Sequence, residues 1–273
     1  MPNLRSMRLA RARRVPRPLA PSAVQLAYFA ELRAILEVAR ELVKERLGER
    51  LPDLVASQRT DAAERADAGN PTRRVNRIMD RVSDAFYRRF PHERLARLAE
   101  RMADRASTHQ RGQLQRQVKA AVGVDLALAD RGVRPHVQQF VAENVALIKS
   151  VPQMYFDDVE KRVLMGMREG LRHTEIAAQL EERFGVAESR AKLIARDQVN
   201  KFTGALNKVR QEQLGIGAYI WRTMNDNRVR SEHEDREGRH FTWDAPPEDG
   251  HPGEPINCRC YAEPDFAGIV EGE

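Results

Sequence analysis

The sequence predicts a mainly α protein, an elongated helical body followed by a small C-terminal α+β unit. Three observations carry this expectation. From Pro21 to about Leu214, apolar residues recur at three- and four-residue steps, the spacing of amphipathic helices. After Gly215-Ile216-Gly217 the spacing changes to alternation, with Tyr219, Trp221 and Thr223 on one side and Ile220, Arg222 and Met224 on the other, as in a strand. Charged residues make up 32% of the 273-residue chain. That exceeds the usual share of about 25% and suits long solvated helices better than a compact enzyme.

In chain order, Ser22 is the expected cap of a first helix and Gly48 its stop, with Leu26, Phe29, Leu32, Leu36, Ala39 and Val43 as the buried stripe. A looser segment runs to Gly69. Asn70-Pro71 places a capping side chain before a proline at the first helical position, and Val75, Ile78, Met79, Val82, Phe86 and Phe90 line up behind it until Pro91 ends the helix. Beyond Pro91, Leu95, Leu98, Met102 and Ala106 form one stripe, and Arg94, Arg97, Arg101 and Arg105 form another. Gly123 to Gly132 reads as a connection. Val137, Phe140, Val141, Asn144, Val145 and Ile148 mark another helix, with more helix from about Gln153 to Glu169. The segment from Thr174 supports two readings: a helix-turn-helix about Gly185 that would carry Ser189, Arg190 and Lys192 to a major groove, or scaffold helix running on through Val199, Phe202, Leu206 and Val209. The length of its second half favours packing. The expected divisions are a basic, disordered arm over 1–21, a helical region over 22–132, a helical body over 133–215 and the α+β unit over 216–273.

Charge is unevenly placed. The net +6 is the sum of +6 over residues 1–20, +8 over 21–225 and −8 over 226–273. Twelve arginines and five acids lie between Arg73 and Arg116, so most of the middle excess is there. Arg5, Arg8, Arg11, Arg13 and Arg14 of the arm, with Arg94, Arg97, Arg101 and Arg105, are the candidate contacts to DNA phosphates, since guanidinium matches phosphate oxygens two at a time. The competing reading is a solvated face paired with Asp80, Asp84, Glu93, Glu100 and Asp104. No apolar run approaches the roughly 18 residues of a membrane-spanning helix. No secretory leader is expected where a basic start leads into Pro-rich sequence.

The last quarter is recognisable. Ala195-Arg196-Asp197-Gln198, Gly215-Ile216, Tyr219-Ile220-Trp221-Arg222-Thr223, Asp226-Asn227-Arg228-Val229-Arg230 with His233, Gly238 and Phe241, and finally Pro252-Gly253-Glu254-Pro255-Ile256-Asn257-Cys258-Arg259-Cys260, taken together, resemble the phage Mu F-like head morphogenesis proteins. The matching motifs span about residues 190 to 265. Residues 134 to 190 are compatible with the family, and residues 1 to 130 carry no match. The resemblance implies a minor capsid protein of phage or prophage origin, without enzymatic activity, present in few copies inside the virion head near the portal vertex after assembly in the host cytoplasm. The implied partners are the portal protein, major capsid or scaffold proteins, and double-stranded DNA bound without sequence preference. It also implies that Asp226, Arg230 and His233 form one structural cluster near the cysteines.

The chemistry of that cluster is read from the residues. Cys258 and Cys260 leave the same face of an extended chain, with Cα atoms about 7 Å apart, a spacing at which a disulfide would be strained. A metal can gather both sulfurs. His233 and His251 supply the other ligands zinc would take, with Asp226 or a water as the substitute. The competing reading is a buried thiol pair with no metal. Asp226, His233, Cys258 and Cys260 also support a metal-dependent nuclease or hydrolase. No hydrolase spacing such as H-E-x-x-H, no Ser/His/Asp arrangement and no phosphate-cradling glycine loop accompanies them. A structural zinc that staples a small unit explains the same residues with less machinery.

Overall fold

A computed structural model of the protein describes residues 15–59, 70–123, 125, 127, 128 and 132–267. The long helices are α1 (Ser22–Arg46), α3 (Pro71–Arg89), α4 (His92–Val122), α5 (Val133–Arg168) and α6 (His173–Gln213); α2 (Leu51–Arg59) is shorter and comes after a 3-10 turn at Gly48–Arg50. Strands β1 (Ala218–Arg222), β2 (His240–Thr242) and β3 (Tyr261–Pro264) form one sheet, with the short α7 (Ser231–Glu234) between β1 and β2. The fold is the mainly α body and small α+β end that the spacing predicts, and its described residues form two compact units.

The helical unit comprises residues 28–59, 70–98 and 144–194 of the described chain. Val75, Ile78, Met79, Val82, Phe86 and Phe90 are all buried, and Asn70 caps α3 by accepting from the Thr72 N–H at 2.9 Å. Phe86 meets Phe156 edge to face with ring centres 5.5 Å apart. Tyr28 donates from its buried hydroxyl to Asn144 Oδ1 at 2.8 Å. Arg40 lies over the Phe184 ring and, with Lys44, pairs with Glu181 at 2.5 and 3.0 Å.

Three helix expectations need correction. Gln25 N–H donates to Pro21 O, so Pro21 stands before the first helical turn and Ser22 is already inside the helix. The stripe of α1 is also turned: Val24 and Tyr28 are buried, whereas Leu26 is 64% exposed and Phe29 only half-buried. The helix-turn-helix reading is overturned, because α6 runs unbroken for 41 residues through an exposed Gly185 with no turn. A glycine costs a helix interior about 1 kcal/mol, too little to interrupt one whose flanking residues Phe184 and Ala187 are buried.

The second unit comprises residues 15–27, 99–143 and 195–267 of the described chain. One core joins Leu114, Val118, Ala121 and Val122 of α4 to Leu214, Ile216 and Phe266. A second core holds Tyr219, Trp221, Trp243, Cys258, Cys260 and Ala262. The sheet is antiparallel with β1 central, Tyr219 facing Phe241 of β2 and Trp221 facing Ala262 of β3. Tyr219, Trp221 and Thr223 are buried while Ile220 and Arg222 are half-exposed, as the alternation requires.

The segment from Val15 to Pro21 crosses α4 in this unit. Three of its seven residues are prolines, which favour extended backbone and supply no N–H. Its carbonyls accept instead. His109 and Gln113 donate to Leu19 O at 3.1 and 3.4 Å, and Gln117 donates to Pro16 O at 3.3 Å. These donors stand four residues apart, so they form a ladder along one face of the helix. Residues 1–14, and with them Arg5, Arg8, Arg11, Arg13 and Arg14, lie outside the described residues.

Candidate metal centre

The loop that carries the two cysteines is set by one face of α6. Arg196 donates to the Asn257 side chain at 2.9 Å, Asp197 accepts from the Asn257 N–H at 2.6 Å, and Asn200 donates to Cys258 O at 2.9 Å. Asn257 is held at φ 59°, a left-handed conformation that asparagine tolerates better than most residues. One turn further along α6, the backbone of the loop lies directly over Gly204: a Cβ there would stand 2.9 Å from Pro252 O. The loop answers with Gly253 at φ +96°, where a Cβ would stand 3.1 Å from Asn200 O.

So held, the loop brings Cys258 and Cys260 against His233 of α7. The three side chains are buried, and their ligand atoms all lie within 4.8 Å of one another. His233 Nδ1 is 3.6 Å from Cys258 Sγ and 3.5 Å from Cys260 Sγ. Its other nitrogen, Nε2, is 2.8 Å from Asp249 Oδ2. A carboxylate only accepts, so Nε2–H donates to it, and Nδ1 is the nitrogen that faces the sulfurs and would serve as a metal ligand. Arg236 holds the second Asp249 oxygen at 2.5 Å and Trp221 packs edge-on against the imidazole, which fixes the ring's plane. These three side chains could hold a metal ion.

The electrostatics suit that use. The Cys260 hydrogen bond pulls the Cys258 thiol down to about 6; burial opposes it and the Gly253 N–H, 3.4 Å from the sulfur, assists it. The Cys260 thiol is pushed up by that same hydrogen bond and by burial. The two sulfurs thus share one proton readily and give up the second with difficulty, unless a cation replaces it. Burial raises the Asp249 carboxyl, but the hydrogen bonds from His233 and Arg236 outweigh it and keep the group below its ordinary range.

The other sequence-predicted ligands stand elsewhere. Tyr219 Oη is 3.0 Å from His251 Nδ1 and Lys208 Nζ is 3.3 Å from His251 Nε2, with the ring against Trp243. Asp226 is gripped by both Nη atoms of Arg259 and by Arg228, and these contacts, Arg259 foremost, hold its carboxyl far below the usual range. Arg230 donates to Ile256 O at 2.6 Å. Asp226, Arg230 and His233 therefore do not bond to one another; each braces a different part of the cysteine loop or its flank. A cavity of about 360 Å³ lies beside this loop, lined in part by Gln110, Asn200, Asn207, Asp226, Arg259 and Cys260. Arg94, Arg97, Arg101 and Arg105 lie on α4, Arg94 donating to Arg89 O and stacked on Phe90.

Comparison with known proteins gives a partial match. Residues 157–263 match the family described as Phage Mu protein F like protein. This stretch resembles the Mu F-like proteins. An uncharacterized protein of Haemophilus influenzae is 34% identical over 171 residues, which are 61% of this chain and 38% of that relative. The chain thus spans well under half the length of the curated relative it matches. No solved structure matches. The matched stretch takes in all of α6, strands β1 and β2, β3 as far as Glu263, His233 and both cysteines. The motif residues Arg196, Asp197, Gly253 and Asn257 are the pieces that bind helix to loop within it. Asp249 gives no sequence signal of its own: it sits in a Pro- and acid-rich stretch 16 residues from the imidazole it orients.

Proposed function

We propose that the chain is a structural phage head protein, a minor component that acts at the portal vertex during head assembly and contacts packaged DNA through its basic segments. The match of residues 157–263 to the Mu F-like family carries this reading. Its partners are the portal protein and the major capsid or scaffold proteins, and its place is the virion of a phage or prophage. The acidic residues 226–273 suit a protein partner better than DNA. Arg94, Arg97, Arg101 and Arg105 and the arm are the DNA-facing parts. Mass spectrometry of purified heads of the encoding phage should find the chain at few copies relative to the major capsid protein, cross-linked to the portal. Its absence from heads and portal complexes refutes the reading. If DNA affinity at low salt survives deletion of residues 1–20 and neutralisation of the four α4 arginines, the DNA role falls.

Within this role, His233, Cys258 and Cys260 bind a zinc ion that staples the cysteine loop to α7. Two thiolates and an imidazole whose second nitrogen is oriented by a carboxylate are the donor set zinc favours. Metal analysis of the reduced protein should give about one zinc per chain, and Cys258→Ser should abolish it. Loading of the serine variant equal to that of the parent removes the staple. A hydrolytic role asks Asp226 to act as a base, yet it is paired with two arginines and poorly disposed to take a proton.

A further inference from the structure

Within the second unit, only three side chains converge on the candidate metal position among the described residues, whereas a closed structural zinc takes four. The two further ligands expected from the sequence are engaged by Tyr219 and Lys208 in one case and by Arg259 and Arg228 in the other. In place of a fourth ligand there is a cavity of about 100 Å³, bounded by His233, Cys258 and Cys260 and by the arginines Arg228, Arg230 and Arg259. A single water needs only about 10–15 Å³ of such space, so a larger group can enter. No carboxylate lines it. Asp226 pairs with Arg259 and Arg228 and offsets one of the three cationic charges, while the two other acids nearby, Asp249 on His233 and Asp197 on Asn257, are paired with Arg236 and Lys201. Arg228 has a side chain 69% exposed, and Arg230 spends one Nη on Ile256 O, so guanidinium donors remain for a guest.

We propose that the metal held by His233, Cys258 and Cys260 keeps one position open toward this cavity, and that an oxygen of a phosphate group occupies it while the arginines bind the remaining oxygens. This rests on the zinc reading above and extends it from a staple to an anion site. Tetrahedral phosphate suits the setting for a physical reason. A metal neutralised by two thiolates attracts anions weakly by itself, and planar guanidinium groups supply both the charge and the paired N–H donors that phosphate oxygens match. The group can come from inorganic phosphate or from nucleic acid.

The test uses the full chain, reduced and loaded with cobalt(II), whose visible absorption reports its ligands. One cobalt per chain is expected, with bands that change saturably when inorganic phosphate is added in chloride buffer. Arg228→Gln and Arg230→Gln should each retain cobalt and bind phosphate about tenfold more weakly. Arg228→Gln alters an exposed side chain, and cobalt retention reports that the loop is intact in either variant. A short duplex with and without 5′-phosphates then separates the sources: a response to either duplex assigns the site to nucleic acid, through the strand ends if the 5′-phosphates are required and through the backbone if they are not, and a response to inorganic phosphate alone assigns it to the free ion. Cobalt bound with a spectrum indifferent to every phosphate overturns the open position and leaves the staple standing. Failure to bind cobalt removes both. An unchanged phosphate response in the two arginine variants also overturns the proposal.

Discussion

Gly185 and Gly204 lie in the same helix, and the structure assigns opposite signs to the same substitution at the two positions. At Gly185 a Cβ meets nothing within 4 Å. Gly185→Ala should therefore deliver the bare helix preference of alanine, a gain of about 1 kcal/mol. At Gly204 the same preference applies, but the new Cβ would stand 2.9 Å from Pro252 O and 3.7 Å from Gly253 Cα. The obstacle is backbone, and it is held in place, because Asn200, Arg196 and Asp197 tie Asn257 and Cys258 of the same loop to the helix and the Gly253 N–H donates to Cys258 Sγ. Overpacking of this kind costs about 1–3 kcal/mol, so the net effect of Gly204→Ala is a loss of about 1 kcal/mol. Urea unfolding monitored by circular dichroism reads each variant against the parent, with each transition fitted separately if the two compact units melt apart. The midpoint should rise for Gly185→Ala and fall for Gly204→Ala. Stabilisation by both would show that the loop does not press on α6, and loss of stability at Gly185 would restore a turn there.

Three further outcomes are expected. Asp249→Asn should leave the fold intact and weaken zinc about 10- to 100-fold in competition with a chromophoric chelator, because the carboxylate that orients His233 is replaced by a weaker acceptor. Tyr28→Phe should cost about 1 kcal/mol in the helical unit by removing the buried hydrogen bond to Asn144, measurable as a lower thermal midpoint. Burial, with Asp80 and Asp157 nearby, raises the Glu160 carboxyl above its ordinary value, so the folded state holds that proton more tightly than the unfolded chain. Stability from this group is therefore lost as pH rises through its folded value. Glu160→Gln should stabilise the helical unit near neutral pH by about 0.5 kcal/mol and bring no gain in acid; a gain independent of pH would contradict the cause given.

The helices and the strand alternation were legible because burial imposes periodicity over many residues. The α3 stripe from Val75 to Phe90 is buried at every position named from spacing. The first turn of α1 was not legible, since Leu26 and Phe29 satisfy the same spacing as Val24 and Tyr28 and only the tertiary contact of Tyr28 with Asn144 decides between them. The cysteines and His233 announced themselves as scarce ligand types in one short block. Their orienting partner Asp249 did not, because one acid among thirteen in the last 48 residues carries no distinguishing pattern. Likewise the sequence offers Asp226 and His251 as ligands on type alone, and it takes the positions of Arg259, Lys208 and Tyr219 to show where they are spent.

Insertions and deletions should be tolerated very unevenly along the C-terminal third. Arg196, Asp197, Asn200 and Gly204 meet the cysteine loop from one side of α6, and each added residue rotates the remainder of the helix by about 100°. One extra residue between Asn200 and Gly204 would turn the glycine away and bring a side chain under Pro252. The same insertion beside Pro246, after the Thr242–Ala245 bridge and before the Pro247–Gly250 turn, changes only the length of an irregular connection. Relatives of this chain should therefore keep the interval from Arg196 to Gly204 fixed, while the distance from Gly204 to Pro252 drifts.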